Sequence, residues 1–452
     1  MNNIKIDMPK AARLIISELE NSGFKAYVVG GCVRDSLLGK FPFDWDITTS
    51  ALPEQTVEIF KDYMVIPTGL KHGTVTIRID EQNYEVTTFR AESGYNDSRH
   101  PESVEFVNDL SEDLKRRDFT VNALAYSEKE GLIDLYGGLD DLNNKIIRAV
   151  GDPSERFTED ALRILRGARF VSSLGFSIED ETLIAMKKHK GLLDKISAER
   201  VFVEMDKLLT GEFVKKSLLE CSEIIFQVIP ELGYTYNFLQ HSKWHLYDVY
   251  THTVVALSTI RSDSQLRWCM LLHDVGKPST FFQDERGEGH FYGHPEISEE
   301  IARKVLRRLK APTAFTRRVC LLIKHHDRRF PTDRAEFKRL LAELGEENVF
   351  ALVEIKIADN EGQGTELALN ASKKVIESKC FAEEIIASGE CYRLKDLAVD
   401  GVTAHDCGLD GVDIGDALSS ILERVIDGEL PNDKEILTKE LKRLSEDKSA
   451  KS

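Results

Sequence analysis

The sequence predicts an α+β protein in which a small mixed sheet with helices is followed by an all-helical remainder. In the first 150 residues, short runs rich in β-branched and aromatic residues alternate with turn residues, as at 26–31, 75–79 and 84–89. After the sequence GDP at 151–153, apolar residues recur at helical spacing in longer segments such as 159–175. Because the β pattern is confined to the first 150 residues and helical spacing dominates the rest, we expect an α/β head and a helical body.

Length and composition predict a soluble protein of two to four domains. The chain has 452 residues, of which 42% are hydrophobic and 30% are charged. No apolar run approaches the roughly 20 residues of a membrane helix, and the first residues lack the apolar region of a signal peptide. The seven cysteines are scattered and never form a CxxC pair. They favour reduced thiols and a cytoplasmic location over disulfides or a zinc ribbon.

The charge distribution leaves two interpretations open. The net charge of −17 argues mildly against a polyanionic partner. The segment 303–339, however, contains thirteen lysines and arginines and only three acidic residues. Such a segment is either a solvated helical face or a contact surface for a phosphate backbone.

Local patterns place the first elements. We expect a helix over 9–22 that stops at Gly23, a buried strand over 26–31, and a hairpin whose turn is 80–83. The segment 89–101 is expected to be a loop. Further amphipathic helices are expected at 198–211, 298–310 and 416–428, and a frayed polar tail at 445–452.

The segment FPFDWDITTSA, residues 41–51, predicts a metal site. On an extended chain Asp44 and Asp46 project from one side, and Trp45 points to the other. Two adjacent carboxylates repel each other unless a cation lies between them. Mg²⁺ prefers a few carboxylates together with phosphate oxygens, so we expect these residues to hold Mg²⁺ and a nucleotide.

The preceding segment VVGGCVRD, residues 28–35, predicts the phosphate contacts. Gly30 and Gly31 lack Cβ atoms at a strand-to-helix turn, which lets a phosphate approach backbone N–H groups. Arg34 adds a planar set of donors that suits phosphate oxygens. A double glycine alone more often marks a tight turn, but together with Asp-x-Asp it indicates a triphosphate site.

Two later segments contain further candidate residues. Arg116, Arg117, Asp118 and Asn122 lie close together in 113–126. On the helical segment 159–170 a stripe of polar residues recurs about every third position. Its members are Asp160, Arg163, Arg166 and Arg169. Taken alone, the first group is better explained as a capped helix, with Asp118 or Thr120 as the cap and a solvated basic turn before it. The second group, taken alone, could equally be a solvated helix face.

The order of these motifs resembles a known family. The segments GGCVRD, DWD, TGLKHGTVT, RRDFTVNA, DLYGG, EDALRILRGARF and ISAERVFVE look like the motif set of the class II tRNA nucleotidyltransferases. These are the bacterial-type CCA-adding enzymes of the polymerase-β superfamily, within the tRNA nucleotidyltransferase and poly(A) polymerase family. The resemblance is dense over 20–212 and thinner to 432. It implies a nucleotidyltransferase head (1–150), a nucleobase-selecting neck (151–212), an HD-type body (213–380) and a tRNA-contacting tail (381–452).

The resemblance also implies roles for individual residues. Asp44 and Asp46 would be the catalytic metal ligands. The nucleotide contacts would be Gly31, Arg34 and Arg117 at the triphosphate, Asp118 and Asn122 near the sugar, and Asp160 and Arg163 at the base, supported by Arg166 and Arg169. An Asp acceptor beside an Arg donor complements the pairing edges of cytosine and adenine but not those of uracil and guanine.

The implied activity is template-independent addition of CCA to the 3′ end of tRNA with CTP, ATP and Mg²⁺. In a two-metal transfer, the tRNA 3′-OH would attack the α-phosphate and pyrophosphate would leave. The expected partner is tRNA, contacted at its acceptor stem and elbow; DNA and membrane are not expected.

The body contains a second candidate metal site. His252, His273, Asp274 and Asp359 follow the order H…HD…D, with His294 and His326 between them. This order resembles the HD-superfamily metal phosphohydrolases, and imidazole with carboxylate is a good ligand set for Mn²⁺, Ni²⁺ or Co²⁺. The alternative is a catalytically silent domain. We choose His326 as ligand over its neighbour His325.

Three other functions remain in competition at this stage. A bacterial poly(A) polymerase shares the head, but residues 68–79 follow the CCA-adding form. A partial enzyme that adds only CC is less favoured. Relatives that add only CC tend to have a shortened loop in this region, whereas this chain has the loop at 89–101. From a different class, the chain could be an HD phosphohydrolase whose head only binds RNA.

Overall fold

The computed structural model describes residues 4–70, 73–95 and 101–449, and the chain divides into two compact units. The first unit comprises Met1–Gly233 and Arg307–Ala311, and the second comprises Tyr234–Leu306 and Pro312–Ser452. The mixed content of strands and helices confirms the predicted α+β class. Among the described helices, none combines the length and the apolar character needed to cross a membrane.

A mixed seven-stranded sheet forms the centre of the first unit, in the strand order β3-β4-β5-β2-β1-β8-β9. Strands β2 and β5 run parallel, and the other neighbouring pairs in this sheet are antiparallel. Two further pairs, β6 with β7 and β10 with β11, lie outside the sheet. The strands are β1 (Ala26–Val29), β2 (Ile47–Thr49), β3 (Met64–Gly69), β4 (Thr74–Ile79), β5 (Gln82–Thr88), β6 (Arg90–Tyr95), β7 (Pro101–Phe106), β8 (Leu124–Ser127), β9 (Gly131–Asp134), β10 (Ile146–Ile147) and β11 (Ser177–Ile178).

Helices accompany this sheet and continue the first unit. They are α1 (Lys10–Asn21), α2 (Gly31–Leu37), α3 (Pro53–Ile59), α4 (Leu110–Lys115), α5 (Gly138–Asn144), α6 (Pro153–Glu159), α7 (Leu162–Leu174), α8 (Asp180–His189), α9 (Ala198–Leu209), α10 (Val214–Glu220), α11 (Ser222–Val228) and α12 (Pro230–Gly233). Helix α1 buries its apolar side, including Ile15 and Leu19, against residues of β1, β2, β4 and β5. The amphipathic spacing that predicted this helix therefore becomes one wall of the core.

The second unit is almost entirely helical. Its elements are α13 (Val249–Thr259), α14 (Ser264–Leu272), α15 (Lys277–Thr280), β12 (Phe282–Gln283), β13 (Gly289–His290), α16 (His294–Arg308), α17 (Thr313–His325), α18 (Arg334–Leu344), α19 (Glu346–Gln363), α20 (Glu366–Ser388), α21 (Gly401–Asp406), α22 (Val412–Ile426) and α23 (Lys434–Ser449). Helix α13 packs against α19, and α19 packs against α20. Strands β12 and β13 form a short antiparallel hairpin.

Most predicted elements are confirmed, with shifted ends. Helix α1 and strand β1 lie within the expected ranges, and the predicted hairpin is β4–β5. Its turn is shorter than expected because β5 already begins at Gln82. Asp80 and Glu81 make the turn with φ of 50° and 62°. This left-handed pair matches the twist of antiparallel strands.

Two expectations were wrong. The segment 89–101 is not simply a loop, since β6 and β7 occupy its two ends and pair with each other; its residues 96–100 lie outside the described part of the chain. The polar tail is not frayed from residue 445, because α23 continues to Ser449. Residues 71–72 of the TGLKHGTVT motif also lie outside the described part.

Candidate functional site

Asp44 and Asp46 lie immediately before β2 and not within it. Both side chains are exposed, whereas Trp45 between them is 5% exposed and packs in the core with residues of α1 and the sheet. The alternation predicted from the sequence is therefore present. The backbone N–H of Val29 donates to the Asp46 carbonyl over 3.0 Å, which holds Asp46 beside the end of β1.

A third carboxylate, Glu85, faces the same place. Ile47 of β2 is level with Val86 of β5, so the parallel register puts Glu85 level with Asp46. Partial removal from water raises the pKa of Asp46, Arg117 opposes this, and the charges of Glu85 and Asp44 raise it further. A carboxylate whose pKa is raised by two neighbouring carboxylates belongs to a donor set that suits a divalent cation.

Sequence reasoning missed Glu85, although a signal was present. In β5 the exposed Glu85 lies between the buried residues Tyr84 and Val86. The exposed carboxylate in this strand was the signal. Its place beside Asp46 depends on the pairing of β5 with β2, and the sequence did not provide that strand order.

The glycine turn between β1 and α2 accommodates a guanidinium. Gly30 has φ of 81°, and a Cβ added there would lie 2.8 Å from Nη1 of Arg117. The backbone N–H of Gly30 donates to the carbonyl of Leu124 over 3.0 Å. Arg34, one turn into α2, donates from Nη1 to Oδ1 of Asn122 over 2.5 Å. The fold thus brings four of the predicted nucleotide contacts together.

Asp113, which the sequence analysis did not select, positions this group. Its carboxylate accepts from Arg116 over 2.7 Å, lies 3.5 Å from Nη2 of Arg117, and accepts from Oγ1 of Thr48 over 3.3 Å. Burial by itself would raise the pKa of Asp113, but the charges of Arg116 and Arg117 more than reverse this, and the pKa is lowered. Asp113 therefore stays ionised and fixes Arg117 near Gly30.

Asp118 joins the head to α7. Its Oδ1 accepts from the Phe119 N–H over 2.8 Å and from Nδ2 of Asn122 over 3.0 Å. Its Oδ2 accepts from Nε and Nη2 of Arg166 over 2.8 and 2.6 Å. Burial opposes ionisation, but Arg166 and Asn122 lower the pKa of Asp118 well below its usual range.

Farther along α7, Arg169 is oriented by a ring and a carboxylate. Its Nε lies 2.7 Å from Oε2 of Glu204 in α9, and its guanidinium lies 4.0 Å from the centre of the Phe170 ring. The guanidinium groups of Arg34 and Arg166 lie 5.3 and 5.6 Å from the same ring. Three positive groups around one aromatic ring are consistent with cation–π contacts, and Glu204 supplies the nearest compensating charge.

The structure does not pair Asp160 with Arg163. Asp160 lies between α6 and α7, where its Oδ2 accepts from Nη2 of Arg200 over 3.1 Å. Nη1 of Arg163 donates to Glu159 over 2.7 Å, and Nη2 donates to the carbonyl of Arg116 over 2.7 Å. Both groups lie at the start of α7, but each is engaged by another partner. The predicted single helical stripe is wrong for Asp160, which precedes the helix.

The six candidate metal ligands of the second unit come together at one place. Nε2 of His252 lies 3.3 Å from Nε2 of His273, 3.2 Å from Oδ2 of Asp274 and 3.1 Å from Oδ1 of Asp359. These four buried residues form one group that could hold a metal ion.

A second group forms on the other side of Asp274. Nε2 of His294 lies 3.2 Å from Nε2 of His326 and 3.3 Å from Oδ1 of Asp274. The two oxygens of Asp274 thus face different groups, which share this carboxylate. His325 is not part of the cluster and lies half-exposed beside it.

Hydrogen bonds fix the tautomers of three of these histidines. Nδ1 of His273, His294 and His326 lies 2.7, 2.9 and 2.6 Å from the backbone carbonyls of Met270, Phe291 and Ile323, respectively. A carbonyl only accepts, so each Nδ1 carries the proton and each Nε2 presents a lone pair. The lone pairs of His294 and His326, which face each other at 3.2 Å, repel unless a cation lies between them. The donor set therefore fits divalent metal ions.

The basic segment 303–339 is largely neutralised by carboxylates from elsewhere in the chain. In the second unit, Arg334 binds Glu384 and Glu390, while Arg339 binds Glu423 and Asp427. In the first unit, Arg308 and Lys310 pair with Glu231 and Glu199. These acidic partners lie far away in sequence, so local charge counting could not reveal them. The contacts favour an ion-paired face over an uncompensated positive surface.

Comparisons with known families match three parts of the chain. Residues 26–148 match the family described as "Poly A polymerase head domain", residues 175–234 match "Probable RNA and SrmB- binding site of polymerase A", and residues 245–361 match "HD domain".

The chain is also similar to individual proteins. It is 53% identical over 207 residues to a CCA-adding enzyme of Limosilactobacillus fermentum, an alignment that covers 46% of this chain and 51% of that protein. The chain thus spans about half the length of the curated relatives it matches.

Solved structures cover more of the chain. A crystal structure of the Bacillus stearothermophilus CCA-adding enzyme in complex with CTP matches 98% of this chain and 100% of its own, with 30% identity and a TM-score of 0.71. A structure of the Thermotoga maritima CCA-adding enzyme complexed with tRNA matches 98% of this chain and 97% of its own, with 20% identity and a TM-score of 0.57. The second comparison shows similarity of fold alone.

Proposed function

Because this chain belongs to the family of the CCA-adding enzymes, we propose that it adds CCA to the 3′ end of tRNA without a nucleic-acid template, using CTP and ATP. The observation that carries the proposal is the convergence of Asp44, Asp46 and Glu85 beside the Gly30 turn and the guanidinium of Arg117. Three carboxylates next to a glycine turn and an arginine suit a metal-bound triphosphate.

In the proposed reaction the tRNA 3′-OH attacks the α-phosphate, and pyrophosphate leaves. Asp44 and Asp46, with Glu85, would hold Mg²⁺, which would lower the pKa of the attacking hydroxyl and neutralise the triphosphate. Arg34 and Arg117 donate to phosphate oxygens, and Gly30 and Gly31 leave room for the triphosphate beside them. Positioning and charge neutralisation supply most of the catalysis in transfers of this kind.

Base and sugar recognition is assigned to the start of α7 and its neighbours. Asp118 and Asn122 would contact the sugar, and Asp160 and Arg163 would read the base, with Arg166 and Arg169 as supports. Because Asp160 and Arg163 are engaged by Arg200 and Glu159, a base must replace these partners before it can pair with both residues.

We assign parts of the chain to steps of this function. The head would be 1–150, the base-selecting neck 151–212, the HD body 213–380 and the tRNA-contacting tail 381–452. The tRNA would be held at its acceptor stem and elbow. The seven free cysteines favour a reducing compartment, so we propose a cytoplasmic location.

A second activity is proposed for the HD cluster, namely hydrolysis of a phosphoester such as a 2′,3′-cyclic phosphate at an RNA end. The facing Nε2 atoms around Asp274 favour it, because they suit Mn²⁺, Ni²⁺ or Co²⁺ as well as Mg²⁺. A bound metal would polarise the phosphoester and activate a water molecule. Addition of water that breaks the bond between phosphorus and O3′ would leave the phosphate on O2′ and free the 3′-hydroxyl that nucleotide addition needs.

One assay tests the main proposal. Purified protein is incubated with tRNA that lacks its 3′ CCA and with each nucleoside triphosphate, singly and in pairs. CTP alone should add two nucleotides, and CTP with ATP should add three. Long tails from ATP alone would identify a poly(A) polymerase, and two additions with both nucleotides would identify a CC-adding enzyme. No addition would leave the chain as an HD phosphohydrolase with an RNA-binding head.

A further inference from the structure

Three aromatic rings form a cluster at the β12–β13 hairpin of the second unit. Phe282 of β12 pairs across the hairpin with His290 of β13, and their rings are stacked with centroids 5.2 Å apart. The rings of His290 and Tyr292 are also stacked, 5.5 Å apart with 16° between their planes. The rings of Phe282 and Tyr292 lie 5.6 Å apart with 41° between their planes, so each ring contacts the other two.

The ring cluster is open to solvent. Tyr292 is 74% exposed and Phe282 is 48% exposed. The ring of His290, which contacts both, is held in place because its Nε2 lies 3.0 Å from Oδ2 of Asp284. The hairpin therefore presents a preformed apolar surface to water.

The hairpin is tied to the metal cluster through a short chain of contacts. A Cβ on Gly289 would lie 2.2 Å from the carbonyl of Gln240, so only glycine permits this approach. The side chain of Gln240 accepts from Nζ of Lys277 over 2.9 Å, and the same Nζ lies 2.7 Å from Oδ2 of Asp274. These contacts thus anchor the ring cluster near the metal ligands.

One cavity connects the two features. It has a volume of about 470 Å³, and its lining includes His290, Tyr292 and Trp244 together with Lys277, Asp274 and His294. This volume falls within the roughly 300–1,000 Å³ typical of small-molecule sites. The lining thus combines aromatic rings with an ammonium group and residues of the metal cluster.

We propose that the exposed face of Tyr292, backed by His290, stacks on the base of a terminal nucleoside phosphoester whose phosphate lies at Lys277 and the HD cluster. The inference rests on the proposed hydrolase function and adds a recognition site to it. Stacking accepts every base because every base has a π-face, so the site selects a nucleoside over a simple phosphoester without selecting its sequence.

The main test compares two substrates in the full-length protein and its variants. Tyr292→Ala should raise the KM for adenosine 2′,3′-cyclic phosphate about tenfold, equivalent to about 1.4 kcal/mol. It should leave the KM for glycerol 1,2-cyclic phosphate, which has no base, within about twofold of the wild-type value. Tyr292→Phe should keep the wild-type KM. Tyr234→Ala, at a tyrosine that is 75% exposed and does not line the cavity, is the matched control for both substrates. Equal effects of Tyr292→Ala on the two substrates would overturn the proposal.

A binding measurement separates this proposal from the hydrolase proposal. If the wild-type protein hydrolyses neither substrate, equilibrium dialysis with labelled adenosine 2′-monophosphate still reports on the ring cluster. Binding about tenfold weaker to Tyr292→Ala than to the wild type and Tyr234→Ala would uphold it, and equal binding would overturn it. A trinucleotide with the same terminal cyclic phosphate distinguishes an RNA end from a free nucleotide, because only an RNA site would give the trinucleotide a lower KM.

Discussion

Replacing Asp118 by Asn tests whether one buried carboxylate joins the nucleotide site to α7. The substitution keeps the shape of the side chain, and its remaining oxygen can still accept from the Phe119 N–H and from Nδ2 of Asn122. It removes the negative charge that receives Nε and Nη2 of Arg166 over 2.8 and 2.6 Å. The perturbation is therefore largely confined to one ion pair.

The contacts set the expected size of the effect. Removing one partner of a buried ion pair costs about 3–5 kcal/mol. Two features favour the lower end of that range. The side chain of Arg166 is 34% exposed, and its Nη1 lies 3.9 Å from Oε1 of Glu204, so Glu204 still balances part of the positive charge of Arg166. We expect a loss of about 3 kcal/mol in the local opening free energy of α7, which corresponds to exchange about 100-fold faster.

Hydrogen exchange with mass spectrometry measures this directly in peptides from 162–174. The folded-state pKa of Asp118 lies below its unfolded value of about 3.9, so the stabilisation is present above about pH 4 and is lost as the pH falls through the folded pKa. At pH 3 the unfolded state is already mostly protonated. The ratio of variant to wild-type exchange rates should therefore fall from about 100 at pH 7 to about 10 at pH 3.

Two results would refute this reasoning. A ratio below about 5 at pH 7 would mean that Arg166 does not depend on Asp118, and a ratio that is equal at pH 7 and pH 3 would mean that the effect is not ionic. Asp62→Asn, at an exposed position of the same unit, is the control and should give a ratio near 1 at both pH values.

Four further changes test the proposed site. Asp46→Asn should lower kcat for nucleotide addition at least about 100-fold, or by about 2.7 kcal/mol, while the Kd for tRNA stays unchanged; residual turnover above a tenth of wild type would contradict the metal assignment. Gly30→Ala should raise the KM for CTP, because its Cβ would lie 2.8 Å from Arg117, whereas Gly39→Ala, with φ of 72° and open space, is the control for backbone strain alone. Asp160→Ala should relax discrimination against UTP and GTP; unchanged selectivity with a higher KM would mean a structural role. Arg334→Gln together with Arg339→Gln should leave the salt dependence of tRNA binding unchanged because both are paired internally, and a slope about 2 smaller would show phosphate contacts.

The sequence was sufficient where neighbouring residues determine the structure. The alternation of exposed Asp44 and Asp46 around buried Trp45 follows from the period of an extended chain. The amphipathic helix α1 follows from apolar spacing in the same way. The order H…HD…D led to residues that the fold does bring together, because that order reflects ligands on successive helices of one domain.

The sequence was insufficient where the partner is distant along the chain. Glu85 joins Asp46 only because β5 lies parallel to β2, and Asp113 reaches Arg117 and Thr48 only after α4 packs beside the sheet. The engagement of Arg163 by Glu159 was missed for a different reason. The sequence predicted one continuous helix over 159–170, whereas α6 ends at Glu159 and α7 begins at Leu162. Local patterns therefore predicted residue types correctly but not their partners.

The two acidic clusters differ in a way that fits different relations to a cation. In the head, Asp44 and Asp46 are exposed. Partial removal from water raises the pKa of Asp46, and the charges of Glu85 and Asp44 raise it further, so a hydrated ion that arrives with a phosphate would relieve their repulsion. In the HD cluster, Asp274 is buried, and Lys277 with the surrounding imidazoles lowers its pKa despite that burial. A buried, ionised carboxylate whose two oxygens face two imidazole groups requires positive charge on both sides to be stable. Under the proposed function, the head would exchange its metal with each nucleotide, and the HD cluster would retain its metal.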